Sequence, residues 1–194
     1  MAAAETRREI LQAARRLFAE HGFANTSIQQ IAEHAGVAVQ TIYSSVGSKS
    51  ALVPALNDLI EEESDVAGLA AELSEETDPA QLIAKGVHLT RQLNERCGDL
   101  IRALLSAEPS DPDAAGVVAE GMRRHQQGLT GLAGRLGSLG ALRADVTPER
   151  AAGVLSMMTS SASWRQLTAA GWTFDEGEAW LTQSLAQLLL PRRP

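Results

Sequence analysis

One cysteine, Cys97, stands in 194 residues, so no disulfide can form within the chain. A zinc site would have to rely on four scattered histidines, His21, His34, His88 and His125. So little cysteine fits a reducing compartment, and a cytoplasmic protein is expected. Aromatics make up only 4% of the residues, whereas alanine and leucine abound. That bias favours helices over sheets. No stretch sustains period-2 alternation of β-branched residues, so no sheet is expected. The opening MAAAETRREI turns charged at once and lacks the apolar core of a signal peptide. No apolar run approaches the ~20 residues needed to span a bilayer, so no membrane partner is expected. A Gly-rich phosphate loop, a nucleophile elbow and an HExxH pair are all missing. The chain is therefore not read as an enzyme, and neither a cofactor nor a metal is expected.

Positive charge is also in short supply. The net charge of −7 argues against a general nucleic-acid binder. Its distribution changes the reading. In residues 1–52, Arg7, Arg8, Arg15, Arg16 and Lys49 outnumber Glu5, Glu9, Glu20 and Glu33 by one, which leaves −8 on the remainder. A near-neutral, arginine-bearing head on an acidic body suits a protein that presents one end to phosphate, although surface charge also varies freely along chains.

The chain reads as a series of capped helices. Glu5 to His21 carries Ile10, Ala14, Leu17 and Phe18 on one stripe, with Thr6 and Glu9 at capping-box spacing and Gly22 as terminator. Arg7 and Arg8 are candidates for phosphate attraction or for a solvated face; Arg15 and Arg16 are read as solvated. A second helix opens after Thr26, with Gln29 at capping-box spacing and Ile28, Ile31, Ala32 and Ala35 on one face. Gly36 ends it, and a short turn leads to a third piece, Val39 to Ser45. Two short helices about a glycine-containing turn describe a helix-turn-helix. Ser48 caps the next helix, which contains Pro54 and runs into the acidic Asp58, Glu61, Glu62, Glu63 and Asp65. Further helices are expected from Asp78-Pro79 to about Asn94, from Asp99 to Ala107 after Gly98, and from Asp111-Pro112 toward Leu132. Gly134, Gly137 and Gly140 suggest a frayed end and loop before Thr147-Pro148 opens a helix to Ala170. Thr173 and Glu176 then cap a last helix ending near Leu190. The fold class is all-α. It comprises an N-terminal helix-turn-helix domain, residues 1–52, and a C-terminal helical domain, residues 53–194.

The stretch from Thr26 to Lys49 resembles the DNA-binding domain of the TetR (tetracycline repressor) family. The matching residues are Thr26-Ser27-Ile28, Ile31-Ala32, Ala35-Gly36-Val37, Thr41-Ile42-Tyr43, Ser48-Lys49 and Leu52, without gaps. The resemblance implies a DNA-binding transcriptional regulator, in most members a repressor released from its operator by a small molecule. Three positions depart from the family pattern. Ala38 replaces a capping Ser or Thr, Gln40 stands where Gly is common, and Val46 where Phe is common.

Residue chemistry assigns roles within that frame. Thr26, Ser27, Ser48 and Lys49 lie at helix N-termini, where free N–H groups bind phosphate, and Lys49 adds a full charge. Tyr43 offers a hydroxyl to a phosphate. Gln40 has the amide geometry to read adenine, and Val39 and Thr41 suit a thymine methyl. Thr41 and Ser44 are equally read as solvent-exposed. A head this small makes few base contacts, so a homodimer on a near-palindromic double-stranded operator is expected. Leu155, Met158 and Ala162, with Trp180, Leu181, Leu185 and Leu188, are candidates for its interface; the same stripes can instead close the monomer's core. The resemblance further implies an effector pocket between the middle helices. His88, Gln92, Met122, His125, Met157, Ser161 and Trp164 are candidate lining residues, each with an ordinary core or surface role as the alternative. The helix bent near Pro54 would link pocket to head and set the separation of two heads. A metal-dependent enzyme and a protein-interaction module are the rival classes. The first lacks converging ligands, and the spacing across Thr26–Lys49 argues against the second.

Overall fold

A computed structural model describes residues 2–49, 51–52, 54–56, 58, 66–109 and 112–191. Among these residues the regular structure is helical, with no strand. The labelled helices are α1 (Ala2–His21), α2 (Ile28–Ala35), α3 (Val39–Ser45), α4 (Val66–Glu75), α5 (Pro79–Ala107), α6 (Pro112–Ser138), α7 (Pro148–Met158), α8 (Ser161–Ala169) and α9 (Phe174–Leu189). Residues 51–52, 54–56 and 58 are helical too, Pro54 included. Of the acidic run that begins at Asp58, the remainder lies outside the described residues, as does Asp111.

Several helices start where their side chains satisfy the first free N–H groups. The Ala80 N–H donates to the Asp78 carboxylate at 2.8 Å. Thr147 accepts from the Arg150 N–H, with Pro148 in the first helical position. Thr173 and Glu176 form the expected reciprocal capping box.

Elsewhere the boundaries move, each time for an identifiable reason. α1 begins at Ala2, so Thr6 is a helix-interior residue and not a cap. α5 runs unbroken through Gly98, because Cys97 and Leu100 on either side are both buried and outweigh the roughly 1 kcal/mol a helical glycine costs. α6 continues past Leu132 to Ser138, and only Gly140, at φ 62°, turns the chain. The helix expected from Thr147 to Ala170 breaks in two. The Thr159 hydroxyl donates to the Leu155 carbonyl, and Ser160 takes an extended conformation and caps α8.

The chain divides into two compact units. One comprises residues 1–63 with 97–121, the other residues 64–96 with 122–194. In the first, Ile10, Leu17 and Phe18 of α1 are buried, as are Phe23, Ile31, Ile42, Leu52 and Leu56. Arg15 and Asp99 form an ion pair at 3.6 Å within this unit, so Arg15 is not simply solvated. In the second, Leu82, Ile83 and Val87 of α5 form one core with Leu129, Leu132 and Leu136 of α6, Leu155, Trp164, and Leu181, Leu185 and Leu189 of α9. Trp164 satisfies its indole N–H against the Thr90 hydroxyl at 3.2 Å, and Phe174 stacks against it at 5.6 Å.

Two glycines of α6 face opposite environments. A Cβ added at Gly137 would sit 2.9 Å from Cγ of the rigid Pro148 ring, whereas at Gly134 it would meet nothing within 4 Å. Gly137→Ala is therefore expected to destabilise the protein by ~1–3 kcal/mol. Gly134→Ala is expected to stabilise it by up to ~1 kcal/mol. Urea denaturation of the two variants checks this, and shifts of the same sign would contradict the packing described.

Candidate nucleic-acid interface

The first unit's helix-turn-helix is assembled around a buried threonine. The Thr26 hydroxyl is placed within reach of two carbonyls at the end of α1, Gly22 at 2.9 Å and Leu17 at 3.2 Å, and the residue is buried. Thr26 thus ties α1 to the start of α2, and its side chain is withdrawn from any phosphate. The capping role moves one residue along. Ser27 is the N-cap of α2, accepting from the Gln30 N–H while the Gln30 side chain accepts from the Ser27 N–H at 2.7 Å. The sequence TSIQQ offers the same spacing to both residues, and burial of Thr26 decides between them. Gly36 ends α2 at φ 66°, a conformation that favours glycine.

α3 follows with Ile42 as its fully buried residue. Gln40, Tyr43 and Ser44 are exposed on the other side, and Val39 and Thr41 are half-buried. Ser44 donates to the Thr41 carbonyl at 3.1 Å. Ala38, at the N-cap position, makes no side-chain hydrogen bond, as its methyl group dictates. Ser48 caps the next helical residues by accepting from the Ala51 N–H at 3.3 Å. The Lys49 ammonium lies 4.3 Å from the centre of the Phe23 ring, a cation–π contact that fixes where its charge is presented. Ser27, Gln40, Tyr43, Ser44 and Ser48 are thus exposed, with Lys49, Val39 and Thr41 partly so.

Residues 10–56 match the family model for bacterial regulatory proteins of the tetR family. The head is similar to that family's. Over 83 residues the chain is 41% identical to the HTH-type transcriptional regulator TtgR of Pseudomonas putida, a match that covers 43% of this chain and 40% of TtgR. The chain therefore matches less than half the length of this curated relative. Solved structures are similar along nearly the whole chain. A SmeT–triclosan complex superposes with a TM-score of 0.78 at 21% identity, covering 96% of this chain and 92% of SmeT. A choline complex of a Saccharomonospora viridis protein gives 0.76 at 22% identity, covering 97% of this chain and all of the other. At these identities the likeness concerns the fold: a tetR-type head followed by a helical region.

Within that helical region the residues singled out from sequence separate. His88 and Gln92 come together on α5. The Gln92 amide donates to His88 Nε2 at 2.7 Å, which places the ring proton on Nδ1, 2.8 Å from the Glu178 carboxylate. Arg91 joins Glu178, Glu95 and Asp175 in the same cluster. Glu178 and Arg91 were not among the residues expected here; a carboxylate just beyond a capping box gives no sequence signal of its own. Trp164 is buried in the core of this unit, its indole N–H bonded to the Thr90 hydroxyl. Met122 and Met157 are exposed, and Ser161 is the half-buried first residue of α8. An open groove of ≈ 360 Å³ is lined by Gly134, Gly137, Ser138, Gly140, Leu142, Arg143, Val146 and Pro148, none of which was expected to line a site.

The stripes read as interface candidates also divide. Leu155, Leu181 and Leu185 are buried in the chain's own core, so they close the unit and are not available to a partner. Met158 packs partly against that core. Ala162, Trp180 and Leu188 are exposed, and Trp172 and Met157 join them, with Trp172 and Trp180 in edge contact at 5.7 Å.

His125 sits mostly out of water on α6, with no protein partner for Nε2. Burial pushes its pKa down from the ordinary imidazole value near 6.5. The unfolded chain then binds more protons than the folded one below about pH 6.5. This contribution to stability is complete above that pH and is lost as the pH falls toward the lower folded-state pKa. Chemical denaturation between pH 7.5 and 5.5 is expected to show a steeper acid-side loss for the wild type than for His125→Gln. Equal slopes would contradict the buried, neutral imidazole.

Proposed function

We propose that the chain is a ligand-responsive transcriptional regulator that binds an operator in double-stranded DNA as a homodimer, acting as a repressor released by a small molecule. The reading rests above all on the helix-turn-helix, whose residues 10–56 match the tetR family and whose α3 turns Gln40, Tyr43 and Ser44 to solvent. In this account residues 1–52 read DNA, and residues 53–194 sense and pair. α3 enters the major groove, where Gln40 reads an adenine edge and Val39 and Thr41 approach thymine methyls. Ser27, Ser48, Lys49 and Tyr43 hold phosphates on either side and fix register.

An effector is supported by the choline and triclosan bound to structurally similar proteins, and by chemistry within this chain. Gln92 Oε1 and His125 Nε2 are buried polar atoms without a protein partner, on two helices that share one core. Such atoms are costly unless something hydrogen-bonds to them. An effector placed against them would shift the balance between DNA-competent and incompetent states by its difference in affinity for the two. Pairing is supported by the exposed apolar residues Met157, Trp172, Trp180 and Leu188. This reading places the protein on DNA in the cytoplasm; no helix among the described residues is long and apolar enough to cross a membrane.

DNA selected by the wild-type protein from a random pool gives the test. Gln40→Gly is expected to relax preference at one base pair, by ~1–3 kcal/mol of discrimination, with little loss of non-specific affinity. Lys49→Ala is expected to weaken all sequences alike and to lower the salt slope by about one. Identical profiles for the two variants would contradict the division into reading and anchoring residues. Failure to select any DNA would contradict the function itself. Leu188→Glu is expected to give monomers in sedimentation and to reduce affinity for the selected DNA on the order of 100-fold. A dimer that survives this change would place the interface elsewhere.

A further inference from the structure

We propose that Arg7 positions the recognition helix, holding α3 from its C-terminal end in compensation for the cap missing at Ala38. The proposal rests on the DNA-reading role of α3.

α3 has seven residues, far fewer than the ~12–15 at which a helix becomes even marginally stable alone in water. Its N-terminus lacks the support found elsewhere in this chain. Ser27, Thr147, Ser160 and Thr173 each accept a hydrogen bond from the third residue of the helix they cap, whereas Ala38 accepts none. At the other end the N–H groups of Val46 and Gly47 both turn back to the Ile42 carbonyl, at 2.8 and 3.2 Å. Arg7 supplies what this closure leaves out. Its Nη1 donates to the carbonyl of Ser45, the last residue of α3, at 3.2 Å and across 38 positions of sequence.

Charge adds to geometry. A guanidinium at a helix C-terminus faces the negative end of the helix dipole, and a charged donor makes a stronger bond than a neutral one. Arg7 lies on α1, which the burial of Ile10, Ala14 and Leu17 holds in place. The orientation of Gln40, Tyr43 and Ser44 is thereby tied to a helix that presents no base-reading residue. The neighbouring Arg8 is exposed and Arg7 half-buried, so the two adjacent arginines have different surroundings. Arg7 acts through α3 and need not touch DNA.

The experiment uses the full-length chain, as Arg7→Met, Arg7→Lys, Ala38→Ser and Arg7→Met/Ala38→Ser. Amide hydrogen exchange is measured without DNA, and affinity is measured for DNA that the wild type selects from a random pool, as a function of salt. Arg7→Met is expected to speed exchange in α3 about tenfold relative to α1, and to lower affinity about tenfold with an unchanged salt slope. Arg7→Lys, which keeps the charge and loses the planar fork, falls between it and the wild type. Ala38→Ser, by supplying a cap, restores most of both losses in the double variant. Unchanged exchange in α3 overturns the proposal. So does a salt slope that falls by about one with no rescue by Ala38→Ser, because Arg7 would then be a phosphate contact. If α3 exchange responds as expected but the wild type selects no DNA, the Arg7 clamp stands and the DNA-reading function falls.

Discussion

A helix of seven residues has almost no stability of its own in water. Everything in the head follows from the need to hold α3 in one orientation all the same. Ile42 supplies the only fully buried side chain of α3, so the helix is fastened along a single line. The remaining constraint comes from its neighbours. Thr26 ties the end of α1 to the beginning of α2, Gly36 makes the turn that a side chain would strain, and the Ser48 cap restarts the chain on the far side. Val46, smaller than the aromatic common in the family, leaves less apolar surface to brace α3, which makes the polar fastenings weigh more.

The same physics explains how much could be read from sequence. Caps with one plausible donor set were legible: Asp78-Pro79, Thr147-Pro148 and the Thr173–Glu176 box all form as their spacing implies. At TSIQQ two residues offered the same cap, and only burial, a tertiary property, assigns the hydroxyl of Thr26 to α1 and the cap to Ser27. Gly98 reads as a breaker in one dimension. In three it is carried through by Cys97 and Leu100, whose burial could not be counted without the partner helices. The break at Ser160 had a signal in the run Thr159-Ser160-Ser161, three residues able to bond the local backbone, but helical periodicity on both sides concealed it.

For the site itself, the sequence pattern carried the surface of α3 and little of the second unit. Exposure of Gln40, Tyr43 and Ser44 follows from the helical period once Ile42 is inside. Trp164 and the leucines of α9 satisfy any apolar-stripe criterion, whether the stripe faces a ligand, a second copy or the chain's own core. Periodicity specifies that a face is buried and not what buries it. The polar cluster of His88, Arg91, Gln92 and Glu178 brings together positions about ninety residues apart, which no local spacing encodes. Its unpaired Gln92 oxygen distinguishes it from an ordinary surface ion-pair network.

The central claim, that α3 reads bases in the major groove from two copies of one head, is tested most directly by chemical footprinting of the bound DNA. Protection of purine N7, adenine included, which opens only onto the major groove, is the decisive readout. The account predicts two protected clusters related by two-fold symmetry, with centres about one helical turn or a whole multiple of it apart. Binding that leaves every N7 reactive, or that protects a single asymmetric cluster, would contradict it.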